Sequence, residues 1–187
     1  TGCGLCMEKC QARAPSEIEE GLAKQTAIYT PFPQAVPKYP VLTPDDCTYF
    51  QKGTCKACEK FCPVDCIDFT QTDEFVDITV GNILLATGFQ PFDARRVEAF
   101  GYGRLPNVFT SMEFERMSNA AGPTGGKILR PSDGKEAKDV AFIQCAGSRD
   151  LNHLKHCSRI CCMATLKQTT YLREQFGDDA KGTVYYI

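Results

Sequence analysis

The chain is poor in histidine, with two among 187 residues. That leaves little for mixed cysteine–histidine zinc sites and little for histidine-based acid–base chemistry. No apolar run approaches the ~20 residues of a membrane span. Ile83-Leu84-Leu85-Ala86 is the strongest, and it is strand length. An excess of one charge is also missing: 21 Lys and Arg stand against 23 Asp and Glu, net −2. No broad basic surface for nucleic acid is implied. No Gly-Lys-Ser/Thr follows the glycines of Ala121–Gly126, so a phosphate-binding P-loop is not expected. The chain does not begin with Met, and its start does not read as a signal peptide. With no span and no leader expected, the location expected is cytoplasmic.

What is present is cysteine, 12 residues in three tight groups. Cys3, Cys6 and Cys10 form the first. Cys47, Cys55, Cys58, Cys62 and Cys66 form the second, and Cys145, Cys157, Cys161 and Cys162 the third. Disulfide cysteines are not usually bunched at two- and three-residue intervals, and nothing suggests export. Structural zinc favours two separated Cys-x2-Cys pairs or Cys/His mixtures, whereas these runs are triple. A zinc-bearing scaffold or interaction domain is the rival kept open. The spacing Cys55-x2-Cys58-x3-Cys62-Pro63 suits a 4Fe-4S cluster, which takes four thiolates. Pro63, lacking an N–H and fixed in φ, turns the chain away after the last ligand.

Cys3-x2-Cys6-x3-Cys10 are the last three members of a C-x2-C-x2-C-x3-C run. The first member would stand just before Thr1, so the chain reads as a fragment cut inside a motif. In two-cluster ferredoxins the fourth cysteine of each run serves the other run's cluster. One cluster then takes Cys3, Cys6, Cys62 and the absent cysteine, and the other takes Cys47, Cys55, Cys58 and Cys10. Seven residues separate Cys47 from Cys55, where a ferredoxin leaves two, and the extra Tyr-Phe-Gln-Lys-Gly segment reads as a bulging loop. Gln11 follows Cys10 where proline is usual. Cys66 has no place in the count and reads as a buried spare thiol rather than a substitute ligand.

Ser16–Leu22 reads as a short acidic helix with a Ser16/Glu19 capping box. Residues 30–44 carry five prolines, neither helix nor central strand, with aromatics expected to pack on the cluster module. Ile67–Gln71 and Phe75–Val80 alternate in polarity and suggest a hairpin closing a ferredoxin-like unit. From Asn82 the pattern changes. Asn82–Gly88 reads as a buried strand ending in Ala86-Thr87-Gly88, small residues that let a backbone approach a ligand. A flavin nucleotide and a plain structural turn are both compatible with that end. Thr110 and Glu113 cap a short helix running to Ser118. Val140–Gln144 is a second buried strand, Cys157–Phe176 a helix ending at Gly177, and Thr183–Ile187 a third strand. Strand–helix–strand opens a dinucleotide-binding unit. Yet the turn is Cys145-Ala146-Gly147-Ser148-Arg149, not the G-x-G-x-x-G that a nicotinamide pyrophosphate needs. An NAD(P)H-dependent iron–sulfur flavoprotein is the second alternative, and the missing glycines after Val140 argue against it. Cys157 and Cys161 lie on one helical face with Cys162 adjacent, and Cys145 stands at the strand end. A third cluster held by these four is expected, with unligated thiols as the plainer alternative. His153 and His156 read as loop or cap residues.

The stretches AIYTPFPQAVP, NILLATGFQPFD, YGRLPNVFTSMEFERM, GPTGGKILRPSDGK and VAFIQCAGSRD with HCSRICCM resemble the A subunits of the CoB–CoM heterodisulfide reductases and related iron–sulfur flavoproteins of anaerobes. The resemblance covers nearly the whole chain. It implies a mixed α+β and α/β architecture: a two-cluster ferredoxin-like insert over residues 1–80, then part of a thioredoxin-reductase-like FAD domain over 81–187. It implies that the two cysteine runs hold ferredoxin-type 4Fe-4S clusters, that Cys145, Cys157, Cys161 and Cys162 hold an additional one, and that Ala86, Thr87 and Gly88 lie beside FAD. Its partners would be the other subunits of such a complex and ferredoxin, hydrogenase or dehydrogenase donors. Its function would be electron relay in an oxidoreductase complex, with flavin-based bifurcation in the family. No residue reads as a catalytic acid or base, and the fragment alone is not expected to be active.

Overall fold

The computed structural model describes residues 2–187, which fall into two compact units, one ending at Gln90 and the other beginning at Pro91. The architecture is mixed α/β with short strands. In the first unit, helix α1 (Leu5–Lys9) is followed by strands β1 (Ala14–Pro15) and β2 (Lys24–Gln25), then β3 (Ile28–Tyr29) and β4 (Val41–Leu42). Each pair is antiparallel: Ala14 faces Gln25, and Ile28 faces Leu42. Helices α2 (Thr48–Lys52) and α3 (Ala57–Lys60) complete it.

The core of this unit is built from sulfur. Cys6 on α1, Cys58 on α3 and Ile28 on β3 are buried together, with Met7, Cys10, Leu42, Ile67 and Phe69 packed against them. Helices α1 and α3 pack on each other, each contributing one buried cysteine. Each begins after a residue with positive φ, Gly4 at 83° and Lys56 at 153°. Glycine enters that region freely, whereas lysine there carries strain of about 1–3 kcal/mol.

Several local expectations are overturned. Residues 16–22 form the turn of the β1–β2 hairpin, not a helix: Ser16 N–H donates to Ala23 O (2.9 Å) and Gly21 N–H to Ser16 O (2.8 Å). The Ser16 hydroxyl still accepts from Glu19 N–H (3.3 Å), a contact that serves a turn as well as a cap. The segment after Cys47 is not a loose loop but α2, stopped by Gly53 in the left-handed region. Phe32 and Tyr39 of the proline-rich segment are exposed rather than packed on the module. Tyr49, Phe50 and Phe69 make the aromatic cluster instead, with ring centroids 4.6–5.8 Å apart.

No strand forms anywhere in residues 65–90, so neither strand of the expected Ile67–Gln71 and Phe75–Val80 hairpin nor the strand over Asn82–Gly88 is present. Phe75 and Leu84 are each 93 % exposed. A strand exists only where a neighbour accepts and donates its backbone hydrogen bonds, and among the described residues none pairs with this stretch.

In the second unit, α4 (Ser111–Ser118) is held by a complete capping box. Glu113 N–H donates to Thr110 Oγ1 (3.2 Å) and Thr110 N–H to Glu113 Oε2 (2.6 Å). Strands β5 (Asp139–Ile143) and β6 (Lys181–Tyr185) run parallel, joined by α5 (Cys161–Phe176) and a turn of 3-10 helix. The helix starts four residues later than its pattern suggests and ends at Gly177 as expected. Its buried stripe is Thr165, Gln168 and Leu172. Phe114 of α4 meets Phe142 of β5 edge to face at 5.7 Å. Buried Gln168 donates to Ser111 O at 3.0 Å, so its amide is not left unpaired.

Tyr102 donates its hydroxyl to Glu113 Oε1 (3.0 Å). Burial first, then this bond to a carboxylate, push its pKa up to about 12. The fold therefore holds the neutral phenol. Its contribution is intact below the ordinary tyrosine range near ~10 and is lost as pH rises toward about 12. Tyr102→Phe should remove that part of the alkaline decline, which urea unfolding midpoints at neutral and strongly alkaline pH would read directly.

Candidate metal centre

Four cysteines from three separate stretches line one cavity of about 140 Å3 in the first unit: Cys10, Cys47, Cys55 and Cys58. Cys10 closes α1, and Cys47 stands at the start of α2, its N–H bonded to Pro44 O (3.1 Å). Cys55 sits in the turn before α3 with φ 79°, and Cys58 is carried inward by α3 itself. Ala27, Ile28, Leu42 and Phe69 supply apolar wall, and the space is well beyond that for a single water.

Burial pushes the Cys58 thiol above its ordinary value. The Glu59 N–H opposes this, and the sulfurs of Cys47 and Cys10 add to the rise. Thiolates crowded into an apolar pocket repel one another and lack solvation, so bound cations are what would favour their charged form. Such a donor set fits an iron–sulfur cluster, which takes four cysteine thiolates around a bulky inorganic core. Among the described residues no group of three His, Cys, Asp or Glu side chains converges as closely as a single ion requires. Zinc, for comparison, draws sulfur to ~2.3 Å from one point.

Cys6 does not line that cavity, and its sulfur neighbours are Cys3 and Cys62. Burial raises the Cys6 thiol most, and its sulfur also feels those of Cys3 and Cys62. Cys62 is shifted the other way, held below the ordinary range chiefly by the Cys66 N–H, with Val64 N–H next. Cys66 is exposed, not the buried spare thiol its place in the sequence suggested. Pro63 and the left-handed Asp65 (φ 47°) fold the chain so that the Cys66 sulfur lies 3.5 Å from that of Cys62. The Cys66 N–H donates to the same Cys62 sulfur at 3.5 Å. All twelve cysteines are free of disulfides.

In the second unit, Cys145 follows β5 at φ 55°, with Arg149 Nη1 donating to its sulfur at 3.9 Å. Gly147 at φ 82° has the Phe92 ring where a Cβ would stand, so only glycine fits that turn. Arg149 N–H donates to His156 O (3.2 Å), which ties the Cys145 turn to the stretch leading into Cys157. Cys161 and Cys162 open α5 and Cys157 precedes it. All three are exposed, and Ser158 Oγ lies 2.9 Å from Cys161 Sγ. None of these contacts joins two of the four sulfurs or draws them to one point. His153 bonds Asp150 (2.8 Å) and stacks edge-on to Phe92, a loop role as expected. A larger cavity of about 450 Å3 in this unit is lined by Phe100, Val108, Phe114, Ile128 and Phe142 and contains no cysteine. Without a metal-ligating set it is not the candidate centre.

Ala86, Thr87 and Gly88 are exposed in the stretch without strand partners, Gly88 at φ 73°. A single open segment encloses nothing that would hold a flavin. Sequence reasoning also missed Lys56. Its Nζ lies 5.0 Å from the Tyr49 ring centroid and 5.1 Å from that of Phe69, placing a cation beside a thiol-lined cavity. Its position between Cys55 and Cys58 was the available signal.

The chain is thus a cysteine-rich mixed α/β protein in which thiols from distant runs line one cavity. No family model matches it. It is 42 % identical over 191 residues to the A subunit of the ferredoxin:CoB-CoM heterodisulfide reductase of Methanosarcina mazei, covering 99 % of this chain and 23 % of that protein. It is 42 % identical over 188 residues to the A subunit of the H(2):CoB-CoM heterodisulfide,ferredoxin reductase of Methanothermobacter marburgensis, covering 100 % of this chain and 28 % of the relative. Against the iron-sulfur A subunit of the CoB--CoM heterodisulfide reductase of Methanocaldococcus jannaschii it is 46 % identical over 175 residues, 93 % of this chain and 26 % of that one. The chain belongs to the family of heterodisulfide reductase A subunits and spans about a quarter of the length of these curated relatives. Among the described residues no helix is long and apolar enough to cross a membrane.

Proposed function

We propose that this chain is the cluster-bearing part of a heterodisulfide-reductase-type electron-transfer protein in a cytoplasmic oxidoreductase complex. The observation that carries the reading is the cavity lined by Cys10, Cys47, Cys55 and Cys58, the same four that crossed ferredoxin ligation groups together. These would hold one 4Fe-4S cluster. Cys3, Cys6 and Cys62 would serve a second, and Cys145, Cys157, Cys161 and Cys162 an additional one. Bound clusters supply one-electron redox chemistry at potentials set by hydrogen bonds to sulfur, local charge and burial. The chain's own residues do the rest. Ile28, Leu42 and Phe69 wall the buried Cys47 and Cys58 from water, Lys56, paired with Glu59 at 3.3 Å, stands beside the cavity, and the N–H groups after Cys62 stabilise its thiolate.

FAD, with Ala86, Thr87 and Gly88 beside it, belongs to the whole protein in this reading. So do partner subunits, ferredoxin or hydrogenase-type donors, and electron bifurcation. The relatives' names, which mention ferredoxin, H(2) and an iron-sulfur subunit, support the iron–sulfur and complex-subunit parts of the reading. Residues 1–80 would form the ferredoxin-like domain and 81–187 the flavoprotein part. Anaerobic iron and acid-labile sulfide counts test the reading. About eight to twelve irons per chain, with matching sulfide and visible absorption bleached by dithionite, are expected from four irons per cluster. A colourless protein carrying zinc instead would end it.

A further inference from the structure

We propose that Cys66 is a reserve ligand for the position held by Cys62, in the site shared with Cys3 and Cys6; this rests on the cluster reading above. Three observations carry it. The two sulfurs are 3.5 Å apart, although three residues stand between them in the chain. Two sulfurs on one tetrahedral metal with ~2.3 Å bonds stand roughly 3.8 Å apart, so this spacing suits two thiolates at one corner rather than at two. The turn is also shaped for the approach. Pro63 fixes the exit from Cys62, Asp65 takes φ 47°, and the Cys66 N–H points at the Cys62 sulfur. Finally, Cys66 is exposed, so no packing holds it away from an incoming role. The first run has no counterpart: Cys10 is followed by Gln11, Ala12, Arg13 and Ala14.

The exchange is a ligand substitution. With a cluster bound, the Cys66 thiolate would take up the metal corner that Cys62 gives up, one metal–sulfur bond replacing another. The proton released by Cys66 would be taken by the departing Cys62 sulfur 3.5 Å away, with no change of oxidation state.

Cys62→Ser, Cys66→Ser and the double variant of the anaerobically isolated protein, with iron, sulfide and low-temperature EPR measured on each, test it. Each single variant is expected to keep the unaltered iron count, Cys62→Ser with a shifted EPR signal from one cluster, while the double variant loses about four irons. Loss of about four irons from Cys62→Ser alone, with the Cys10/Cys47/Cys55/Cys58 signal intact, overturns the proposal. Should Cys62→Ser lose every signal through misfolding, the Cys66→Ser protein decides. A ferrous chelator should strip one cluster from it several-fold faster than from the unaltered protein, and equal rates overturn the proposal. Unaltered protein without iron and sulfide instead overturns the function reading, and the reserve ligand with it.

Discussion

Cys58→Ser should cost the protein about four irons and much of the order of its first unit. Cys58 is 8 % exposed, faces a cavity with three other thiols, and sits in the core beside Ile28 and Cys6. Serine nearly preserves shape but replaces a soft thiolate with a hydroxyl, which binds iron far less readily. The loss then has two parts. The ligand set drops below four, and a polar group is left in an apolar wall, at about 1–3 kcal/mol if unpaired. Metal binding in small sites of this kind is also folding free energy, so stability should fall further than the substitution alone implies. Iron and sulfide counts would read the first part and limited proteolysis the second. Cys55→Ser, at an exposed position, should lose similar iron with less damage to packing. Unchanged iron in Cys58→Ser would mean that the cavity is not a cluster site.

Leu172→Ala should destabilise the second unit by about 2–5 kcal/mol, the range for truncating a buried leucine where the surroundings collapse only partly. Leu172 is 1 % exposed on the inner stripe of α5 and lies over Gly182 of β6. Small domains hold only about 5–15 kcal/mol in total, so this is a large share of what the unit has. A urea titration followed by circular dichroism should show a lower midpoint with little change in slope. The neighbouring Leu166, 56 % exposed on the same helix, is the control and should shift the midpoint little on truncation. Equal effects at the two positions would contradict the burial of one face of α5.

The contrast between these helices and residues 71–90 explains what could be read in advance. The capping box at Thr110 and Glu113, the glycine stop at Gly177 and the apolar strand around Phe142 are local signals, and each element formed close to where its residues put it. A helix satisfies its own backbone. The stretch Asn82–Gly88 has as apolar a pattern as β5 and forms no strand, because a strand needs a neighbour and β5 has β6. Ser16–Leu22 failed differently: its polar contacts suit a turn as well as a helix, and pairing of Ala14 with Gln25 selected the turn.

The order of the residues by itself determined that sulfur would dominate this chain, in runs spaced for shared ligation, and it carried the family likeness from end to end. It also determined the capping box of α4, the stop of α5 at Gly177 and the parallel strand–helix–strand unit, which depend on contacts a few residues apart or on one crossover. The ferredoxin crossing rule already groups Cys10 with Cys47, Cys55 and Cys58. Only tertiary structure decided that the cavity these four line has Ala27, Ile28, Leu42 and Phe69 for walls, that Lys56 leans over two aromatic rings, and that Cys66 touches Cys62 in the open. Those outcomes depend on how turns with positive φ aim side chains and on which segments pack together, and spacing along a chain does not encode direction in space.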